Sequence, residues 1–75
     1  MITLYSKNNC MPCKMTKKFL EQHQADFQEI NLDEHPEKID HVRGLGFTSA
    51  PIIESDDVVF SGFQPAKLKQ LLSIR

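Results

Sequence analysis

A chain of 75 residues fits one small domain, taken here as residues 1–75, and leaves no room for a second. Nine Lys and Arg against ten Asp and Glu give a formal net charge of -1, which excludes a global field that would attract nucleic acid or an anionic membrane. Hydrophobic residues at 40% and charged ones at 25% are a globular balance that argues against disorder, and no run approaches the ~20 apolar residues of a membrane span.

Ile2-Thr3-Leu4-Tyr5 is β-prone and Lys7-Asn8-Asn9 reads as a polar turn, so a first strand over residues 2 to 6 ends just before Cys10-Met11-Pro12-Cys13. The N-terminus has no basic start followed by a long apolar stretch, as a secretory leader would, and two cysteines are too few for a secreted disulfide framework. A cytoplasmic monomer is the expected form, and in a reducing compartment a close cysteine pair is reactive or metal-binding rather than structural. From Cys13 onward Met15, Phe19 and Leu20 recur at helical spacing, with Lys14, Lys17, Lys18, Glu21 and Gln22 on the other faces, which predicts a helix from 11 to about 24. Pro12 suits its first turn, where a missing N–H costs nothing.

Two thiols so placed can close as a disulfide and reopen, provided one is exposed and acidic. An ordinary cysteine, with a pKa of about 8.5, is mostly protonated at neutral pH. The free N–H groups and dipole of the helix start, helped by Lys7 and Lys14, favour the thiolate of Cys10. Cys10 is therefore read as the nucleophile, and Cys13, inside the first turn, as the thiol that resolves the mixed disulfide. Zinc is the other chemistry of Cys-x-x-Cys, but the remaining candidates His23, His35 and His41 fit no standard finger spacing and read as surface histidines. Lys17 and Lys18 read as a solvated helix face, whereas Lys14 adjoins Cys13 and is placed with the site.

Phe27-Gln28-Glu29-Ile30-Asn31-Leu32 alternates apolar and polar and predicts a half-buried second strand. Asp33-Glu34-His35-Pro36 supplies capping residues for a short helix over roughly 36 to 44, in which Ile39, Val42 and Leu45 sit three apart before Gly44 and Gly46 end the pattern. Pro51-Ile52-Ile53-Glu54 and Val58-Val59-Phe60, around Ser55-Asp56-Asp57, predict an antiparallel hairpin. Pro65 then opens a helix whose Leu68, Leu71 and Leu72 form an apolar stripe running to the C-terminus.

The order β-α-β-α-β-β-α, with Cys-x-x-Cys after the first strand, resembles the thioredoxin fold: an α/β, thioredoxin/glutaredoxin architecture with a four-stranded mixed sheet and three helices. The resemblance implies that Pro51 of Ser49-Ala50-Pro51 faces the cysteines, with a small residue before it as in a cis turn. It also implies that the backbone of Ala50 pairs with an extended substrate strand, by β-augmentation. Ser61-Gly62-Phe63-Gln64-Pro65 offers a close backbone approach at Gly62 and an apolar contact at Phe63.

With these three motifs together the whole chain is similar to the NrdH-redoxins, glutaredoxin-like proteins that pass electrons to class Ib ribonucleotide reductase. That resemblance implies a dithiol-disulfide oxidoreductase with no bound cofactor. Thioredoxin reductase, a flavoprotein drawing on NADPH, would reduce it, and it would in turn reduce a cysteine pair on the large subunit of the class Ib enzyme. Met11, Pro12, Ala50, Pro51, Gly62 and Phe63 would frame the groove, with Lys14, Ser49, Ser61 and Gln64 beside them. Two positions depart from the family: Pro12 stands where a glutamine or similar polar residue is common, and Phe60 where tryptophan is common. Proline before the second cysteine is a thioredoxin trait that is expected to alter the redox potential. Ordinary glutaredoxins place an aromatic residue between the cysteines and a Gly-Gly followed by acidic residues near the last helix, and this chain has neither. Weak or no binding of glutathione is expected, which sets the main reading apart from a glutathione-dependent glutaredoxin; a noncatalytic thioredoxin-fold binding or zinc module is the alternative of another class.

Overall fold

The structure, a computed structural model, describes residues 2–56 and 58–73. Its elements run β1 (Ile2–Ser6), α1 (Met11–Gln22), β2 (Phe27–Asn31), a 3-10 turn (Pro36–Lys38), α2 (Ile39–Gly44), β3 (Ile52–Glu54), β4 (Val59–Ser61) and α3 (Pro65–Ser73). The sheet order is β2-β1-β3-β4, with β1 and β2 parallel and the β1–β3 and β3–β4 pairs antiparallel. This is the mixed four-stranded sheet with three helices expected from the sequence. Asp57, in the expected hairpin turn, and Ile74 and Arg75, at the expected end of the last helix, lie outside the described residues.

Strand alternation divides the core between the two faces. Ile2, Leu4, Ile53 and Phe60 point to one face and pack with Leu20 of α1 and Leu68 and Leu71 of α3. Tyr5 and Ile52 point to the other and pack with Leu32 and Val42 of α2. The reading of residues 27 to 32 as one simple alternation needs correcting. Phe27 packs on the α1 and α3 side while Ile30 packs on the α2 side, so the apolar residues of β2 serve both faces. Glu29, paired in register with Leu4, therefore stands on the face covered by α1.

The helix ends differ in detail from expectation, although the second helical stretch spans Pro36 to Gly44 as expected. Helix α1 stops at Gln22 because Gln24 turns into the left-handed region, at φ 54°. The Gln24 N–H then donates to the Glu21 carbonyl (3.1 Å) and the Ala25 N–H to the Leu20 carbonyl (3.0 Å), which closes a Schellman motif. The second helix begins as a 3-10 turn without a side-chain cap. Asp33, expected to cap it, instead accepts the Asn8 N–H at 2.8 Å and so ties the loop after β1 to the loop after β2.

On the α2 face, Tyr5 Oη donates to Glu54 Oε1 (2.9 Å), and His41 Nε2 lies 3.0 Å from the same oxygen. The His41 contact, with help from the Tyr5 hydroxyl, holds the Glu54 carboxyl below its ordinary value. Burial, together with Glu54, pushes Tyr5 from 10.0 up to about 12. A raised folded pKa contributes stability that is fully present below the unfolded value and lost as pH climbs through the folded one. The urea midpoint is thus expected to fall between pH 10 and 12 for this reason. Tyr5→Phe should flatten that limb while costing about 1 kcal/mol at neutral pH for the lost hydrogen bond; an unchanged alkaline limb would refute the assignment.

Candidate functional site

Helix α1 begins where β1 and its polar turn end. Asn9, at φ 56°, adopts the left-handed conformation that asparagine tolerates, and Cys10 follows as the helix N-cap in an extended conformation. Cys10 and Cys13 form a disulfide across the first turn, with their Cα atoms 5.2 Å apart. The Cys13 N–H donates to Cys10 Sγ at 3.2 Å. An orphan amide of the helix start is thereby aimed at the first sulfur, which is the interaction that favours a thiolate there once the disulfide opens. Pro12 sits in the first turn at no hydrogen-bond cost, and its carbonyl accepts from Thr16 Oγ1 at 2.8 Å.

The two sulfurs are placed unequally. Cys10 is half-buried beside Met11, which is 66% exposed, whereas Cys13 is only 3% exposed. Of the two, Cys10 is the more open to an approaching partner.

Sheet register brings the second half of the site to the same end of the molecule. The end of β1, the start of β3 and the end of β4 lie side by side, since Tyr5 pairs with Ile52 and Ile52 with Ser61. The Ala50–Pro51 peptide is cis, and the Pro51 carbonyl accepts the Gly62 N–H at 2.8 Å. Gly62 has φ 86°, a conformation that glycine adopts without strain. Phe63 meets Phe19 of α1 edge-on, with ring centroids 6.2 Å apart, so this loop leans on the helix that carries the cysteines. Gln64 turns back on its own loop, its Nε2 donating to the Ser61 carbonyl at 2.7 Å. Ser49 is exposed, and Ala50 is half-buried before the buried Pro51. Phe60, where the family commonly carries tryptophan, is buried in the core at 3% exposure, with Lys67 Nζ 5.5 Å from its ring centroid.

Lys14 is on the other flank. Together with Lys7, Lys17, Ser6, Glu29 and Cys13 it lines a cleft of about 240 Å³ between α1 and β2, on the opposite side of β1 from Pro51 and Gly62. Lys17 is not simply solvated: its Nζ lies 3.0 Å from Glu29 Oε1, and that contact raises its pKa. Sequence reading missed Ser6 and Glu29. Their proximity is visible only in the strand register, where Glu29 pairs with Leu4 and so stands on the α1 side of the sheet, though exposed.

Among the described residues no three of His, Cys, Asp and Glu come together as a metal site. Nor is any described helix long and apolar enough to cross a membrane.

The glutaredoxin family model matches residues 2–60. The glutaredoxin-like protein NrdH of Lactococcus lactis is 55% identical over 71 residues, covering 95% of this chain and 99% of that one. Its namesake in Escherichia coli is 37% identical over 70 residues, covering 93% and 86%. The solved structure of the E. coli NrdH-redoxin superposes with a TM-score of 0.88, covering 93% of this chain and 92% of that one, and its description ascribes to it a thioredoxin-like activity profile. A glutaredoxin from Archaeoglobus fulgidus superposes with a TM-score of 0.86 at 30% identity, covering 95% and 84%.

Proposed function

The chain belongs to the glutaredoxin family and within it to the NrdH-redoxins, thiol-disulfide oxidoreductases, and on that premise we propose that it carries electrons from thioredoxin reductase to class Ib ribonucleotide reductase. It would work as a monomer in the cytoplasm, where reducing conditions keep the pair cycling. The observation that carries the redox cycle is the unequal pair at the start of α1: a half-buried Cys10 sulfur receiving a helix amide, joined to a Cys13 sulfur behind it. Cys10 attacks the partner's disulfide and Cys13 displaces the partner from the mixed disulfide, which leaves the Cys10–Cys13 bond for the reductase to open.

Gln64 supports the choice of reductant. Where a glutathione-dependent protein would present a carboxylate to the glutathione amino group, this loop holds an amide already spent on Ser61. A missing charge-assisted bond costs about 1.5–3 kcal/mol, roughly a 10- to 100-fold handicap for glutathione. The thioredoxin-like profile ascribed to the E. coli relative agrees with this reading. Met11, Pro12, Ala50, Pro51, Gly62 and Phe63 are assigned to the partner groove, with Ser49, Ser61 and Gln64 at its margin.

NADPH-coupled turnover tests the proposal. With thioredoxin reductase and NADPH the protein should be reduced repeatedly and should sustain a class Ib reductase. With glutathione, glutathione reductase and NADPH the rate should be at least about 10-fold lower. A preference for glutathione would overturn the assignment of donor.

A further inference from the structure

We propose that Glu29 is the proton acceptor for the Cys13 thiol, through water in the cleft that both residues line, and that Lys17 and Ser6 position its carboxylate. The proposal rests on the redox cycle above and names the group that its second step requires. Cys13 is 3% exposed, so bulk water has little access to the thiol that must lose its proton to attack. Its proton needs a route. The cleft beneath it, about 240 Å³, has room for several waters at roughly 30 Å³ each.

The charged groups facing this space are Lys7 from the loop after β1, Lys14 and Lys17 of α1, and Glu29 of β2. Asp33 is engaged by the Asn8 N–H in the adjoining loop, and Glu21 acts on Lys17 from further along α1. Protonated lysines donate and do not accept. Among the described residues lining the cleft, Glu29 is the one carboxylate.

Glu29 stands on the α1 side of the sheet beside Leu4, at an exposed edge position whose side chain is 32% open to solvent. Lys17 Nζ lies 3.0 Å from Oε1, and Ser6, itself 2% exposed, donates its hydroxyl to Oε2 at 2.9 Å. These two partners fix the carboxylate at the wall of the cleft while leaving each oxygen a further lone pair for water.

In the step itself the Cys13 S–H proton passes through water to Glu29 as Cys13 Sγ attacks Cys10 Sγ. The Cys10–Cys13 bond forms, the bond from Cys10 to the partner sulfur breaks, and the electron pair leaves with the partner as its thiolate. The protein dithiol has then been oxidised by two electrons and the partner disulfide reduced. Because the proton moves as the new S–S bond forms, no free buried thiolate has to accumulate.

An aromatic disulfide that releases a coloured thiolate separates the two steps, since attack by Cys10 gives a first release and resolution by Cys13 a second. In Glu29→Gln the first release should be unchanged, whereas the second slows about 100-fold at neutral pH and its pH midpoint moves upward. Glu29→Asp, which keeps the carboxylate on a shorter arm, should fall between the two and serves also if the glutamine variant folds poorly. Lys17→Met removes the positioning ion pair but keeps the acceptor, and should slow the second release by less than Glu29→Gln does. Equal second-release rates and pH profiles in wild type and Glu29→Gln would overturn the proposal, as would a loss in Lys17→Met matching that of Glu29→Gln. Absence of the first release in the wild-type protein would instead sink the redox cycle on which it rests.

Discussion

Cys10→Ser is expected to abolish disulfide reduction, lowering turnover in the reductase-coupled assay by on the order of 10⁴-fold or more, as removal of a covalent nucleophile does. A serine hydroxyl at the N-cap can still accept the Cys13 N–H that Cys10 Sγ accepts at 3.2 Å, so the helix start should survive the change. What is lost is the atom that forms the mixed disulfide. Cys13, 3% exposed, cannot take over the first attack. Cys13→Ser should behave differently: the first attack proceeds at its wild-type rate, but the adduct has no internal thiol to displace it. Mass spectrometry of the Cys13→Ser protein after reaction with a disulfide should therefore show a stable mixed adduct on Cys10. Retained turnover in Cys10→Ser, or an adduct on Cys13 in that variant, would overturn the order of attack.

The parts of this site that were legible in the sequence are those carried by local chemistry. Cys10 to Cys13 stand next to their own strand and helix, so spacing alone places both sulfurs at a helix start, and the structure has Cys10 as N-cap and Cys13 in the first turn. The element order was legible for a similar reason, since each run has its own period and its own proline or turn residues. Features that depend on two distant segments were harder to see. The Pro51 carbonyl meets the Gly62 N–H because β3 and β4 pair in one register, and it was family resemblance rather than spacing that assigned both residues to one groove. Residues 27 to 32 were read as one alternating half-buried strand, yet Phe27 and Ile30 pack on opposite faces. A five-residue edge strand carries too few side chains for its period to decide which face a single carboxylate takes. The early stop of α1 depends on Gln24 adopting a positive φ, which its residue type does not announce.

Ile53→Ala should produce the largest loss of stability outside the chemistry, about 2–5 kcal/mol, because the lost transfer energy is joined by the cost of a cavity that the sheet cannot close. Ile53 is fully buried, pairs with Leu4 on one side and Phe60 on the other, and lies in the cluster that joins the sheet to α1 and α3. At about 0.05–0.15 kcal/mol per residue, a domain of this length holds roughly 4–11 kcal/mol in all, so the substitution removes a large share of it. At about 4–8 °C per kcal/mol for domains this small, the thermal midpoint should drop by about 8–40 °C. Val58, at 38% exposure, provides the contrast, and Val58→Ala should change stability by no more than about 0.5 kcal/mol. The functional consequence should split along the same line as the site. Cys10 is held by an amide of its own helix turn, so its first attack on a small disulfide should persist in Ile53→Ala below the new midpoint. Pro51 lies two residues before Ile53 and is tied to Gly62, so turnover with a protein partner, which on the proposed reading uses that groove, should fall more than attack on a small disulfide. Thermal unfolding followed by circular dichroism, with both rates measured on the same samples, checks the two expectations together. A midpoint within about 3 °C of wild type, below the shift that even 1 kcal/mol produces, would mean that this cluster does not hold the sheet to its helices as described.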